Sequence, residues 1–207
     1  MMKFNELSIL LLAAGSSSRL GRSKQLLKVD SESLLLRSSN LSLQVSKNVF
    51  VVLGSNFEEH VQSIKHLSVA IVENKEWERG LGCSLKAGLR QIVEKNPETK
   101  SVLILVCDQP LLTSSHLSKL AEVGEATNKL IVSSLYNNVL GVPALFKKEL
   151  FNELLKLDDS EGARKLIQQK KNDVEIVDFP GGEIDLDTPE DVKKFFSTTL
   201  VEKPIRQ

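Results

Sequence analysis

The sequence predicts an α/β protein with a mainly parallel sheet covered by helices on both faces. Short apolar runs alternate with helical patterns along the chain, which is typical of βαβ units. The runs around residues 9–12 and 102–106 are continuously apolar, as expected of strands buried on both sides. Polar, glycine-rich segments follow several runs, where ligands bind in parallel sheets. The length of 207 residues suits one large domain, residues 1–207.

Five apolar runs are predicted strands, and the segments between them are predicted helices. The strands are Leu7–Ala14, Val49–Gly54, Val69–Glu73, Val102–Cys107 and Leu130–Leu135. Apolar residues three or four positions apart mark one face of each helix. These faces are Phe57, Val61 and Ile64; Leu85, Leu89, Ile92 and Val93; and Leu117, Leu120 and Ala121.

The last third of the chain is less regular. The predicted elements are a strand at Val142–Phe146, helices at Lys147–Lys156 and Ala163–Gln169, and a strand at Val174–Phe179. A closing helix is predicted to begin at Pro189, with Thr188 as its cap.

Composition excludes several classes of protein. The hydrophobic fraction is 41%, the charged fraction is 26% and the formal net charge is zero, as in ordinary soluble domains. A general electrostatic footprint for nucleic acid or an anionic membrane is therefore not expected. Two cysteines are too few for a disulfide framework. The first apolar run is short and ends in a glycine-serine loop, which favours a buried strand over a signal peptide. We expect a cytoplasmic location.

The glycine-rich segment Leu12–Lys24 follows the first predicted strand. Its small residues let backbone N–H groups approach an anion, and Arg19 and Lys24 supply positive charge for phosphates. Its two glycines are separated by five residues and followed by Arg22, so it is not a Walker A loop, and no G-x-G-x-x-G fingerprint is present. The position favours phosphate binding over an ordinary turn with solvated charges.

Carboxylates at two later places are candidate metal ligands. Asp108 follows a buried run, and Asp185 and Asp187 would share one face of an extended segment. Mg²⁺ prefers oxygen ligands and commonly joins one or two carboxylates to substrate phosphates. The alternatives are a turn aspartate before proline for Asp108 and an acidic helix start at Thr188 for the pair.

A further glycine-rich segment, Gly80–Leu89, precedes a predicted helix. Its first N–H groups and the Ser84 hydroxyl are available to a ligand, although an ordinary capped helix start explains the pattern equally well. The three histidines show no metal-binding spacing and are predicted to lie on helix surfaces. Cys107 lies in an apolar run and is predicted to be a core residue rather than a nucleophile.

Together, these segments resemble the MobA-like nucleotidyltransferases. Leu12–Lys24 is similar to the L-A-A-G-x-S-x-R-x-G-x-x-K signature of the molybdenum cofactor cytidylyltransferase branch. Gly80–Gly88 is similar to its G-M-x-x-S-L-x-x-G segment, Cys107–Leu111 to its D-Q-P-L element, and Asp185–Asp191 to its D-I-D-T-P-E-D ending. The resemblance covers about residues 7–196, the expected core of the domain.

The resemblance implies a Rossmann-like three-layer sandwich with a mainly parallel, mixed central sheet, which is the nucleotidyltransferase fold. It implies transfer of NMP from an NTP, usually CMP from CTP, to the terminal phosphate of molybdopterin, with release of pyrophosphate. It also implies Mg²⁺ as cofactor and a molybdoenzyme of the xanthine dehydrogenase type as a partner.

The resemblance also implies roles for individual residues. Arg19, Lys24 and Asp108 would be catalytic, and Asp108 would hold the metal with Asp185 or Asp187. A larger set would contact the nucleotide: Leu12, Ala13, Ala14, Gly15, Ser16, Arg19, Lys24, Gly82 and Ser84.

One departure from the family pattern leaves the acceptor open. Family members usually carry a polar residue before the proline of the G-x-P segment, and this chain has Val142. Two alternatives follow. The chain could use GTP or another NTP on a different small phosphorylated acceptor, or it could be a non-catalytic accessory protein that binds the cofactor for a molybdoenzyme. Retention of Arg19, Lys24 and Asp108 argues against the second, because a carrier needs no metal–triphosphate site.

Overall fold

The computed structural model describes residues 4–201, and a seven-stranded sheet forms the centre of the fold. The strands of the two sheets are β1 (Leu7–Leu12), β2 (Lys28–Val29), β3 (Glu32–Ser33), β4 (Asn48–Leu53), β5 (Ala70–Glu73), β6 (Ser101–Val106), β7 (Ile131–Tyr136), β8 (Val139–Lys147) and β9 (Val174–Asp178). The central sheet has the order β5-β4-β1-β6-β8-β7-β9, and β2 and β3 form a separate hairpin. Only β8 runs against the other strands of this sheet within residues 4–201, so the sheet is mixed but mainly parallel.

Helices cover both faces of the sheet. They are α1 (Leu34–Val45), α2 (Phe57–Ile64), α3 (Leu81–Lys95), α4 (Ser114–Ala126), α5 (Phe151–Leu155), α6 (Ala163–Gln169) and α7 (Pro189–Val201). One apolar core joins α3, α5 and α6 to one face of the sheet, and a second joins α1, α2 and α4 to the other. The prediction of a three-layer α/β sandwich is therefore confirmed.

A third, smaller apolar core holds together the segments that carry several of the candidate residues. It joins the glycine-rich loop, the β2–β3 hairpin, the start of α1 and helix α7. Its buried members are Leu20, Leu27, Val29, Leu34, Leu186, Val192 and Phe195. Leu20 follows Arg19 and Leu186 precedes Asp187, so burying these leucines together brings the two charged residues to one place.

Most of the predicted elements are present, with shifted ends. The predicted helix at Lys147–Lys156 is a 3₁₀ turn at Lys148–Leu150 followed by α5, because residue 147 still belongs to β8. The closing helix begins as predicted: the Thr188 hydroxyl accepts from the Asp191 N–H at 3.2 Å, and the Asp191 carboxylate accepts in return.

The prediction for the histidines was wrong at two of three positions. His60 and His116 are buried, and only His66 is exposed on the surface. His116 lies against Phe179 with ring centroids 4.4 Å apart, and burial lowers its pKa to about 4. A buried neutral imidazole packs as part of the core, which the helical spacing alone did not reveal.

Candidate functional site

The candidate site lies where β1 and β6 end, at the edge of the sheet expected to bind ligands in parallel α/β folds. Leu12, Ala13 and Ala14 are buried as β1 ends, whereas Gly15 and Ser16 are exposed. A nucleotide would therefore meet the backbone at the first three positions rather than their side chains. Nothing lies within 4 Å of where a Cβ of Gly15 would stand, so this position opens onto free space.

A buried glutamine holds the glycine-rich loop in shape. The Gln25 amide donates to the carbonyls of Ala13 at 3.1 Å and Gly15 at 2.7 Å. Its oxygen accepts from the hydroxyls of Ser17 at 3.0 Å and Ser23 at 2.9 Å. Every polar atom of this side chain thus serves the loop. Gln25 was not among the predicted site residues, because it lies in a short turn beside Ser23 and Lys24, where a polar residue gives no separate signal.

Four charged side chains from three distant segments meet beside this loop. The Lys24 ammonium donates to Asp108 Oδ2 at 2.5 Å and to Asp187 Oδ1 at 2.7 Å. Arg19 donates to the other oxygen of Asp187 at 2.5 Å. Burial lowers the pKa of Lys24, but the Asp108 carboxylate and the hydrogen bonds to both aspartates outweigh it and raise the pKa above its ordinary value. Lys24 is therefore a permanent cation between two carboxylates.

A third carboxylate lies close to this cluster. Partial burial and the nearby carboxylates of Asp108 and Asp187 raise the pKa of Asp185. The Leu186 N–H donates to the Asp108 carbonyl at 3.4 Å and links the two acidic segments. A cleft of about 750 Å³ borders Arg19, Asp185 and Asp187.

Carboxylate oxygens in this arrangement suit a hard cation such as Mg²⁺. With Lys24 between them, the side chains of residues 4–201 form no group of three or more His, Cys, Asp or Glu residues placed to enclose a metal ion. The carboxylate oxygens of Asp108 and Asp187 are the type of ligand that a divalent cation takes, and in this structure both carboxylates accept hydrogen bonds from Lys24.

The start of α3 packs against the loop at residues 157–161. Ser84 is buried, and its hydroxyl accepts from the Asn74 amide at 3.0 Å. Gly82 faces the loop Asp158–Glu161, because an added Cβ would stand 2.2 Å from the carbonyl oxygen of Asp158. Lys86 binds the same loop through the carbonyl of Leu157 at 2.7 Å and the Asp159 carboxylate at 2.6 Å. The nucleotide contacts expected of Gly82 and Ser84 stay predictions.

Gln109 connects Asp108 to the segments around it. Its amide donates to the carbonyls of Val142 at 3.1 Å and Gly182 at 2.8 Å. Gln109 was not among the predicted site residues, although it is the second residue of the D-Q-P-L element. It positions the strand that carries Val142 against the segment that leads to Asp185.

Cys107 is not available as a nucleophile. It is buried at the end of β6, and burial raises the pKa of its thiol to about 12. Its prediction as a core residue is confirmed. No helix within residues 4–201 has the length and apolar character needed to cross a membrane.

Comparison with known proteins gives one family and several relatives. The family described as "MobA-like NTP transferase domain" matches residues 9–174. The molybdenum cofactor cytidylyltransferase of Escherichia coli is 25% identical over 185 residues, covering 88% of this chain and 91% of that protein. The purine catabolism protein PucB of Bacillus subtilis is 30% identical over 194 residues, covering 87% and 91%.

A solved structure shares both the fold and part of the sequence. Rv0371c from Mycobacterium tuberculosis is 27% identical, with a TM-score of 0.79, and the match covers 95% of this chain and all of that chain. A second structure of Rv0371c is a complex with manganese.

Proposed function

This chain belongs to the MobA-like NTP transferase family, and on that premise we propose that it transfers CMP from CTP to the terminal phosphate of molybdopterin or the molybdenum cofactor, with release of pyrophosphate. Nucleotidyl transfer is the activity of the family, whereas the nucleotide and the acceptor are the proposal. The E. coli relative, named as a cytidylyltransferase, supports CTP and this acceptor.

The observation that carries the proposal is the meeting of Arg19, Lys24, Asp108 and Asp187. Three contacts of 2.5–2.7 Å link these two cations and two carboxylates at the end of two parallel strands. Apolar residues of similar size often stabilise a fold as well as a buried salt bridge does, so packing alone does not explain the cluster. They supply the positive charge that a triphosphate needs and the oxygen ligands that its metal needs.

The chemistry needs positioning and charge stabilisation more than a strong base. An oxygen of the acceptor phosphate attacks the α-phosphorus, the bond from this phosphorus to the β-phosphate oxygen breaks, and pyrophosphate leaves with that electron pair. The acceptor phosphate is already ionised and needs no deprotonation. Arg19 and Lys24 would bind the triphosphate and offset the charge that grows on the leaving group.

We propose that Asp108 holds Mg²⁺ with Asp187 or Asp185. The bound ion would neutralise charge on the triphosphate and help to orient it. The manganese complex of Rv0371c supports a divalent cation in this fold, and Mg²⁺ itself is our assignment.

A second candidate function keeps the chemistry and changes the substrates. Val142 removes the polar side chain expected before Pro143, which leaves the acceptor open. The second candidate is therefore transfer from GTP or another NTP to a different small phosphorylated acceptor. The relative PucB is named for purine catabolism. For either candidate we propose that the product goes to a molybdoenzyme of the xanthine dehydrogenase type, which oxidises a purine, and the name of PucB supports this partner.

The test is a pyrophosphate-release assay with each of the four NTPs, with and without molybdopterin and Mg²⁺. We expect release with CTP that depends on molybdopterin. Release with another NTP, or with CTP only when a different phosphorylated acceptor is added, would support the second candidate. No release under any condition, with cofactor still bound, would indicate the accessory protein.

Asp108→Asn tests the metal assignment. The amide keeps the size of the side chain but removes its negative charge, so turnover should fall at least about a hundredfold if one metal ligand is lost. Asp173→Asn, in the 3₁₀ turn before β9, is the matched control and should keep wild-type turnover. Equal turnover in the Asp108 variant and the control would remove Asp108 from the metal site.

A further inference from the structure

A chain of hydrogen bonds connects the glycine-rich loop to His60, which lies in α2 and outside every motif of the site. The imidazole Nε2 lies 2.7 Å from the Ser23 hydroxyl, and this hydroxyl donates to the Gln25 amide oxygen at 2.9 Å. The Gln25 amide nitrogen in turn donates to the carbonyls of Ala13 and Gly15. One buried ring is therefore connected to the backbone of the loop through two side chains.

The hydrogen bonds of Gln25 decide which nitrogen of the His60 ring carries the proton. The Gln25 amide nitrogen donates to two carbonyls, so the amide oxygen is the acceptor for Ser23. The Ser23 hydroxyl uses its single proton in this contact, and its oxygen must then accept from His60. Burial lowers the pKa of His60, which keeps the ring neutral at pH 7. His60 is thus a neutral imidazole that donates from Nε2 to the loop.

The position of His60 is itself fixed by backbone contacts. The residue is fully buried, and its N–H donates to the Asn56 carbonyl at the start of α2 at 3.1 Å. The turn before α2 is joined to the loop independently, because the Ser55 N–H donates to the Ala14 carbonyl at 3.0 Å. A fully buried position favours an apolar side chain unless the polar atoms are used in hydrogen bonds. The imidazole is therefore a fixed point that holds Ser23 in place.

The network holds the residues on both sides of Lys24. Ser23 precedes it and Gln25 follows it, and the Lys24 N–H donates to the Ser17 hydroxyl at 3.0 Å. The Ser17 hydroxyl donates to the Gln25 amide oxygen as well. Three consecutive residues are thus fixed, while the Lys24 side chain extends to the carboxylates of the charge cluster. The place of the Lys24 ammonium depends on this backbone.

We propose that His60 is a positioning residue for nucleotidyl transfer: through Ser23 it fixes the loop backbone that places the Lys24 ammonium against the triphosphate. This inference rests on the proposed use of a triphosphate and not on the identity of the acceptor. His60 acts through the loop and touches no reacting atom. A displacement of about 1 Å in a group that stabilises the transition state can cost about a hundredfold in rate, so a loosened loop should lower kcat. Triphosphate binding should change less, because the carboxylates proposed to hold the metal lie on other segments.

Pyrophosphate release from CTP at saturating molybdopterin is the first test. His60→Leu removes the donor but keeps a side chain of similar size, so kcat should fall about threefold to tenfold, the effect of one lost hydrogen bond, while the KM for CTP stays within about twofold. His60→Gln keeps an N–H that reaches Ser23 and should restore kcat. Ser23→Ala should lower kcat by the same factor, and combining it with His60→Leu should cause no further loss.

Hydrogen exchange of the loop amides, measured by mass spectrometry without nucleotide, is the second test. Exchange in residues 13–25 should be faster in His60→Leu and Ser23→Ala than in wild type, and His60→Gln should return it to the wild-type rate. Ser23 is half-buried, so Ser23→Ala tests the same contact even if His60→Leu does not fold. His66→Leu is the matched control, because His66 is exposed just beyond the end of α2, and it should behave like wild type in both tests.

Three results would overturn the positioning role of His60. Wild-type kcat or wild-type loop exchange in the Leu variant would show that the contact does not hold the loop. Equal losses in His60→Leu and His60→Gln would show that the ring acts by packing, and multiplied losses in the double variant would show that it does not act through Ser23. If the wild-type protein releases no pyrophosphate from any NTP, the proposed function fails, and loop exchange alone then decides whether His60 holds the loop.

Discussion

Replacing Lys24 with methionine removes the cation at the centre of the charge cluster. The variant keeps most of the side chain's length and apolar packing, but it leaves Asp108 and Asp187 facing each other without an ammonium between them. We therefore expect opposite effects on two ligands. A divalent metal added without nucleotide should bind more tightly, and Mg²⁺–CTP should bind more weakly.

The size of the first effect follows from the contacts that a metal must displace. Lys24 lies 2.5 Å from Asp108 and 2.7 Å from Asp187. A hydrogen bond to a charged group contributes about 1.5–3 kcal/mol. The three side chains are 17–22% exposed, so solvent weakens both contacts. We therefore take about 1.5 kcal/mol as the contribution of the two contacts together, with about 3 kcal/mol as the upper limit. That range is about a tenfold to a hundredfold gain in metal affinity.

Binding of Mn²⁺ to nucleotide-free protein, followed by the electron paramagnetic resonance signal of the free ion, measures this gain. Lys28→Met, four residues further on and exposed on β2, is the matched control and should bind Mn²⁺ like wild type. Calorimetry with CTP then measures the second effect. An Mn²⁺ affinity in Lys24→Met that equals or falls below the wild-type value would refute the reasoning, because Lys24 would then not compete for the carboxylates.

Four further variants test the scaffold of the protein. Gln25→Leu leaves two loop carbonyls unpaired, and we expect it to lower the free energy of unfolding in urea by about 2–3 kcal/mol. If the midpoint of urea unfolding did not change, Gln25 would not hold the loop in shape. Gly82→Ala places a Cβ against backbone atoms and should lower the free energy of unfolding by about 1–3 kcal/mol. At Gly15 an added Cβ enters open space, so Gly15→Ala should leave stability unchanged while CTP binding weakens. For His116, burial holds the folded pKa near 4, against 6.5 for the free side chain. Below pH 6.5 the unfolded chain takes up a proton that the folded chain refuses, so stability falls with acid by up to about 1.4 kcal/mol per pH unit. His116→Gln should lose this part of the slope, and equal slopes would contradict it.

The central strands could be predicted from the sequence because they are buried on both faces. Such strands need apolar residues at every position, as in Ile9–Leu12 and Val102–Leu105, and no other short element has that requirement. Helix α1 was not identified individually, because its sequence contains three serines. Ser38, Ser39 and Ser42 are buried, and the Ser42 hydroxyl donates to the Ser38 carbonyl at 2.7 Å. A small polar residue such as Ser42, whose hydroxyl is satisfied within the helix, can face a core without an apolar pattern.

The candidate residues that were predicted share a different property. Arg19, Lys24 and Asp108 belong to short motifs, in which the loop and its charged residues lie within a few positions of one another in the sequence. The meeting of Lys24 with Asp187 depends instead on a core between Leu20 and Leu186, more than 160 residues apart. A search for patterns along the chain identifies each motif but not the contact between them.

The same distinction explains why the two substrates differ in how far the sequence identifies them. The residues proposed for the nucleotide lie mostly in one continuous loop, and the shape of this loop is held from inside by Gln25. No such continuous motif marks the acceptor. The departure from the family pattern, Val142, lies on β8, and Gln109 joins its carbonyl to the Gly182 carbonyl of a segment 40 residues later. Residues that come together only through such contacts leave no pattern along the chain, so the sequence identifies the nucleotide more closely than the acceptor.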